Sequence, residues 1–186
     1  MTVSPIRAAL DQEWPQVAQC LRIFHAGPGL YAGRADIDRG RNPLARCVAS
    51  LFGFPPAGRD VPVTVAVEAL ATGERWTRTF GDRSFQSHIC PAGPGCMQER
   101  FGPCCFRVGV ELKEGAISLT VLSGRIGPLP FPRVLLPSTV ATERAVDGRF
   151  HFDISLAAPL IGLIVHYRGW LEPVDGPGSG MARPPE

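Results

Sequence analysis

The chain has 186 residues, 45% of them hydrophobic and 19% charged, with a formal net charge of +2. That length supports one domain able to bury roughly 70% of its unfolded surface without disulfide or metal staples. The composition excludes a disordered chain, and the charge is too small to argue for nucleic acid as a partner.

Nineteen prolines and 21 glycines imply many turns between short strands rather than long helices. The N-terminus lacks the apolar stretch of a secretory signal. The longest apolar run, Leu156 to Val165, is about half of what a membrane span needs. The expectation is a cytoplasmic protein with no membrane span, in which the six cysteines are reduced thiols.

Residues 1–13 read as an N-terminal arm, 14–172 as a single β-rich domain and 173–186 as a mobile C-terminal tail with little to pack. Trp14 to Phe24 carries Val17, Leu21 and Phe24 at helical spacing, with Pro15 in a first-turn position. His25 to Gly29 end it. Tyr31 to Asp38 alternates as a half-buried strand. Asn42 caps a second short helix with Pro43 at its first position, running to Phe52.

From Asp60 onward the period is two. Val63, Val65, Val67 and Ala69 share a face. Strands follow over Glu74 to Phe80, Ser84 to Cys90, Cys96 to Phe101, Cys104 to Lys113 and Ile117 to Arg125, with Glu114-Gly115 as a tight turn. Gly127 to Pro132 is a proline-rich loop. Thr139 to Val146 leads into Asp147-Gly148, the strongest hairpin signal in the chain. Phe150, Phe152, Ile154 and Leu156 are the inner face of the next strand, and Ile161 to Leu171 is the last.

Short connections imply antiparallel neighbours, and a large twisted sheet curls or closes to remove its edges. The expected fold is mainly β: an antiparallel β-barrel or strongly curved sheet of about nine or ten strands with two short helices. A two-sheet β-sandwich is the alternative.

Charges stand where the alternation requires apolar residues. Arg78 shares a strand face with Trp76 and Phe80, and Glu99 shares one with Met97 and Phe101. If the aromatic faces point inward, the charges do too, and each needs a partner because a buried unpaired charge is costly. The partners open to them are each other, Glu74 or Glu143. Three readings follow: a structural ion pair, an Arg78 that holds an anionic or carbonyl head group inside an apolar cavity, or acid–base catalysis by Glu99. The candidate ligand-binding set is Trp76, Arg78, Phe80, Phe85, Ser87, Glu99, Phe101, Phe106, Glu143 and Tyr167. No nucleophile or second carboxylate is placed beside Glu99, so no catalytic residue is assigned.

His88, Cys90, Cys96, Cys104 and Cys105 fall within eighteen residues, and such side chains ligate zinc. They form no C-x-x-C knuckle, and adjacent Cys104 and Cys105 point to opposite faces of a strand. His88, Cys90, Cys96 and Cys104 are weak metal-ligand candidates, and Cys90 with Cys96 a candidate redox pair. The expectation is free thiols and no cofactor. The sequence has no G-x-S-x-G elbow, no Walker sequence and no G-x-G-x-x-G after a strand.

Five motifs together resemble a bacterial domain-of-unknown-function family, numbered four-one-six-six. They are E-x-W-x-R-x-F (Glu74, Trp76, Arg78, Phe80), F-x-S (Phe85, Ser87), E-R-F-G-P (Glu99 to Pro103), P-x-P-x-x-L-x-P (Pro130, Pro132, Leu135, Pro137) and Y-R-G-W-L (Tyr167 to Leu171). The resemblance covers about residues 20–172; Cys90, Cys96, Cys104 and Cys105 depart from its pattern. It implies no established activity. It does imply that members occur alone or appended to a saccharopine-dehydrogenase-like NAD(P)-binding domain. The reading favoured by the residues is non-enzymatic binding of a hydrophobic or amphiphilic small molecule inside a barrel or cup. An accessory domain for an NAD(P)-dependent oxidoreductase partner, with a patch around the GPLPFP loop, and a zinc or thiol-redox protein are the alternatives.

Overall fold

The computed structural model describes residues 3–174; from residue 175 on, the expected tail lies outside the described residues. The chain begins with α1 (Pro5–Leu10), a 3-10 turn (Asp11–Gln16) and α2 (Gln19–Phe24). β1 (Gly29–Arg39) and α3 (Pro43–Leu51) follow. Then come β2 (Gly58–Leu70), β3 (Gly73–Phe80), β4 (Arg83–Pro91), β5 (Cys96–Phe101), β6 (Cys104–Lys113) and β7 (Ala116–Ile126). The last are β8 (Leu129–Pro130), a 3-10 turn (Arg133–Leu135), β9 (Ser138–Val146), β10 (Arg149–Ala158) and β11 (Gly162–Pro173).

Ten of these strands close into an antiparallel barrel in the order β1 to β7, β9, β10, β11 and back to β1; β8 only extends the end of β7. The sandwich alternative is therefore not what forms. Its exclusion rests on the seam at which the first strand meets the last, paired from Tyr31↔Pro173 to Arg39↔Val165. Asp147 and Gly148 both have positive φ (50° and 76°), as do Glu114 and Gly115 (51° and 78°). That is the geometry that lets a two-residue turn match the strand twist.

The helical parts differ in detail from the sequence expectation. The stretch 1–13, set apart as an arm, contains α1, whose Ile6 and Leu10 are buried. Trp14 to Phe24 is not one helix. The chain extends at Val17 (ψ 136°), which buries that side chain in the core and restarts as α2.

These segments plug one end of the barrel. The Gly95 amide, in the β4–β5 connection, donates to the Ala9 carbonyl (2.9 Å). Phe24 of α2 stacks on Phe150 at 3.9 Å between ring centres and meets Trp76 edge-on. α3 lies at the opposite end. Asn42 caps it by accepting from the Leu44 amide (2.9 Å), with Pro43 at the first helical position. Arg39 pins the chain after it by donating to the Phe54 and Pro55 carbonyls.

The seam depends on glycines, Gly33 and Gly169 in mid-strand and Gly40 just beyond β1. A Cβ on Gly33 would lie 1.8 Å from the Trp170 carbonyl oxygen, and one on Gly169 would lie 2.1 Å from the Arg34 carbonyl oxygen. Backbone cannot yield as a flexible side chain can. Gly33→Ala should lower stability by about 2–3 kcal/mol or more, read as the midpoint of urea unfolding. Gly109→Ala on β6, whose new atom would meet only the Leu122 side chain at 3.4 Å, should leave that midpoint nearly unchanged.

Candidate functional site

The inward faces of the strands do not fill the barrel. A cavity of about 380 Å³ remains, within the roughly 300–1,000 Å³ usual for small-molecule sites. Its lining runs from Ile6 and Phe24 at the plugged end to Val48, Phe52, Phe131, Leu135 and Ile161 at the other. Leu135 and Ile126, both in the lining, are exposed. The mouth is thus bounded by α3, the 127–137 connection and the β10–β11 turn.

Alternation places the polar lining. On β3, Glu74, Trp76, Arg78 and Phe80 point inward, opposite β4 residues Ile89, Ser87 and Phe85. Arg78 donates from Nη1 to Ser87 Oγ (2.8 Å) and from Nη2 to Glu99 Oε1 (3.3 Å). Its guanidinium carbon lies 4.9 Å from the Trp76 ring centre and 5.7 Å from that of Phe85. The Arg78 and Glu99 side chains are 13% and 15% exposed, and that exposure is toward the cavity they both line. A guanidinium carries five N–H donors, more than these two partners use.

The other inner carboxylates are held separately. Trp76 Nε1 donates to Glu74 Oε2 (2.8 Å). Glu143 does not pair with Arg78; its Oε2 lies 2.6 Å from Nε2 of His25, which is fully buried beneath the cavity floor. His25 Nδ1 has no partner.

Eight of the ten candidate residues line the cavity: Trp76, Arg78, Phe80, Glu99, Phe101, Phe106, Glu143 and Tyr167. Phe85 and Ser87 do not. They stand behind Arg78 and fix its orientation. Sequence reasoning missed Phe24, Phe150, Phe152 and Ile154 as lining, although the alternation of β10 had already put the last three on an inner face. It also missed Phe131, which stacks on Phe106 (5.8 Å). Gly124 makes room for that stack, since a Cβ there would meet Phe106 at 2.7 Å.

The metal candidates do not assemble. Cys90 and Cys96 flank the β4–β5 connection at the plugged end, whereas Cys104 begins β6 at the mouth. His88 is exposed on the outer face and lies 3.4 Å from Arg75 Nε. Among the described residues no group of three His, Cys, Asp or Glu could hold a metal, and all six cysteines are free.

A family model described as Domain of unknown function (DUF4166) matches residues 16–171. The chain belongs to this family. Of the motif residues that carried the resemblance to DUF4166, nine line the cavity: Trp76, Arg78, Phe80, Glu99, Phe101, Leu135, Pro137, Tyr167 and Leu171. No curated protein matches the sequence. The chain is similar to the crystal structure of Rv2717c from M. tuberculosis, at 17% identity and a TM-score of 0.46, over 86% of this chain and 99% of that one. No helix among the described residues is long and apolar enough to cross a membrane.

Tyr167 reports on the interior. Burial pushes its phenol up to about 12; Glu99 and Glu143 add to that and the Arg78 guanidinium opposes it. The fold therefore holds the neutral form. The associated stability is fully present below the ordinary phenol value of 10.0 and is lost as pH rises through about 12. The loss should reach about 3 kcal/mol. Denaturant midpoints measured from pH 10 upward should fall in the native protein and fall less in Tyr167→Phe, while ultraviolet titration should show the last-ionising phenol missing from that variant.

Proposed function

We propose that the barrel is a non-enzymatic binding protein for a hydrophobic or amphiphilic small molecule, with Arg78 as the polar anchor. The observation that carries this reading is the pairing of a hollow, apolar interior with a single arginine whose donors exceed its partners. Trp76, Phe80, Phe101 and Phe106 would contact the apolar body of the ligand. Arg78 would donate to a carbonyl or carboxylate at its polar end. Desolvated, charge-assisted hydrogen bonds of this kind contribute more than neutral ones, and Ser87 with the two aromatic rings holds the guanidinium ready for them.

Glu99 sets the preference. It already balances the Arg78 charge, so a full carboxylate beside it meets repulsion that a carbonyl does not. Binding is measured by fluorescence with parinaric acid and, separately, with its methyl ester, in buffer free of vesicles. Arg78→Ala should weaken both by roughly tenfold or more, with a smaller effect on the unfolding midpoint. Glu99→Gln should shift preference toward the acid over the ester. Absence of binding to either probe, together with no lipid-like mass co-purifying with the protein, would overturn the reading.

A further inference from the structure

The two ends of the barrel present different surfaces to water. At the plugged end Ile6, Leu10, Leu21 and Phe24 are buried. At the mouth apolar side chains project outward. Leu160 is 89% exposed and Leu51 81%, and Leu129, Val134, Val140 and Leu44 are each more than half exposed. These are the six most exposed large apolar side chains among the described residues. All six lie on α3, the β10–β11 turn, or the run from the 127–137 connection into the start of β9. Isolated exposed apolar residues need no explanation, whereas a set gathered around one opening does.

Two details sharpen this. Leu160 has φ 69°, a left-handed conformation that suits glycine or asparagine and disfavours a leucine. The tight β10–β11 turn imposes that backbone, as turns do at Glu114 and Asp147, yet the residue that occupies it here is a leucine 89% exposed to water. α3 is apolar on more than its buried side. Ala45 and Ala49 are fully buried and Val48 and Phe52 line the cavity, yet Leu44, Cys47 and Leu51 form a row of exposed positions spaced three and four apart. A helix that faced only water would be polar there.

Charge selects the kind of surface that fits. The chain as a whole is nearly balanced, with 19 basic and 17 acidic residues. The segments 40–57, 122–142 and 154–165, which carry the exposed apolar ring, contain no aspartate or glutamate and include Arg41, Arg46 and Arg125; the neighbouring turns at the same end add Asp60 and Asp82 beside Arg59 and Arg83. Segments that combine exposed leucines with arginines and carry no carboxylate of their own have the chemistry of an element that lies in the interface of an anionic bilayer. A protein seated on this ring would also cover the mouth. A bilayer buries the ring and supplies molecules of the kind the cavity walls suit.

The geometry points to the mouth as a docking face for an anionic lipid bilayer, with α3 and the Leu160 turn entering at headgroup depth. The passage of an amphiphile between that membrane and the cavity rests on the binding reading above; the docking itself does not.

Sedimentation with vesicles tests it, using phosphatidylcholine alone and phosphatidylcholine mixed with phosphatidylglycerol. The full chain should sediment with the mixed vesicles and little with the neutral ones, and added salt should reduce the bound fraction. The double variant Leu51→Asp with Leu160→Asp should lower the partition coefficient by about tenfold or more. Leu30→Asp, near the plugged end, should leave it unchanged. Both changes are at exposed positions, and circular dichroism checks that the fold persists. Failure to sediment with mixed vesicles, or sedimentation indifferent to the double variant, overturns the inference. So does concentration-dependent self-association lost in that variant, which would make a second copy the occupant. Loss of parinaric acid binding in vesicle-free buffer, with sedimentation retained, would remove the binding reading and leave the docking face standing.

Discussion

Closure of ten strands through the β1–β11 seam is the constraint from which the rest of the structure follows. A closed barrel has no edge strand to shield, so every strand can be short and its turns tight. Diameter, however, grows with strand number, and side chains just fill a barrel of about eight. At ten strands the inward-facing residues of this chain leave about 380 Å³ among them. The cavity is a geometric outcome of strand count and not a defect of packing. The seam that closes it has no room for a side chain at Gly33, Gly40 or Gly169.

An interior of this size makes internal charges affordable only when each is held. Arg78, Glu74, Glu99 and Glu143 all point inward, and each has a donor or acceptor within hydrogen-bond distance. The arrangement is unequal. Glu143 is buried against His25, and Glu74 against the Trp76 indole. Arg78 and Glu99 meet at 3.3 Å across β3, β4 and β5 with part of each facing the void. The ion pair and the proposed anchor are thus the same residues seen from two sides. The pairing offsets the desolvation of the guanidinium when the cavity is empty, and the unused donors are what a ligand would meet.

Much of this was written in the period of the sequence. Alternation placed the strands, put Arg78 and Glu99 beside Trp76 and Phe101, and so named the inner polar pair. Asn42, Pro43 and Asp147-Gly148 act locally, and local chemistry is what a sequence states plainly. The contact between His25 and Glu143 spans 118 residues, and no periodicity encodes which of two inward groups will meet. The strand β7 shows another limit. Its register shifts between Arg107 and Val108 of β6, so Ile117, Leu119 and Val121 face inward and, beyond Leu122, Gly124 and Ile126 do. A bulge of one residue reverses the face and leaves no mark in composition. The cysteines fail as a set for a related reason. Closeness in sequence put Cys104 near Cys90 and Cys96, and the hairpins carried them to opposite ends.

The asymmetry of the two ends gives the barrel a direction. Closing the end beneath Trp76 takes three segments, a stack of Phe24 on Phe150, and a backbone hydrogen bond from Gly95 to Ala9. Opening it would expose buried leucines and separate His25 from Glu143. The other end is covered by a nine-residue helix and an irregular connection, with Arg39 and Asn42 supplying the nearest polar ties. Segments with few buried contacts open at the least free-energy cost. On the binding reading proposed above, a ligand would enter by α3 and the 127–137 connection, past Phe131, which stacks on Phe106 over Gly124. The exposed leucines lie on that same side. Their placement makes physical sense if the surface that touches them is also what eases that side open.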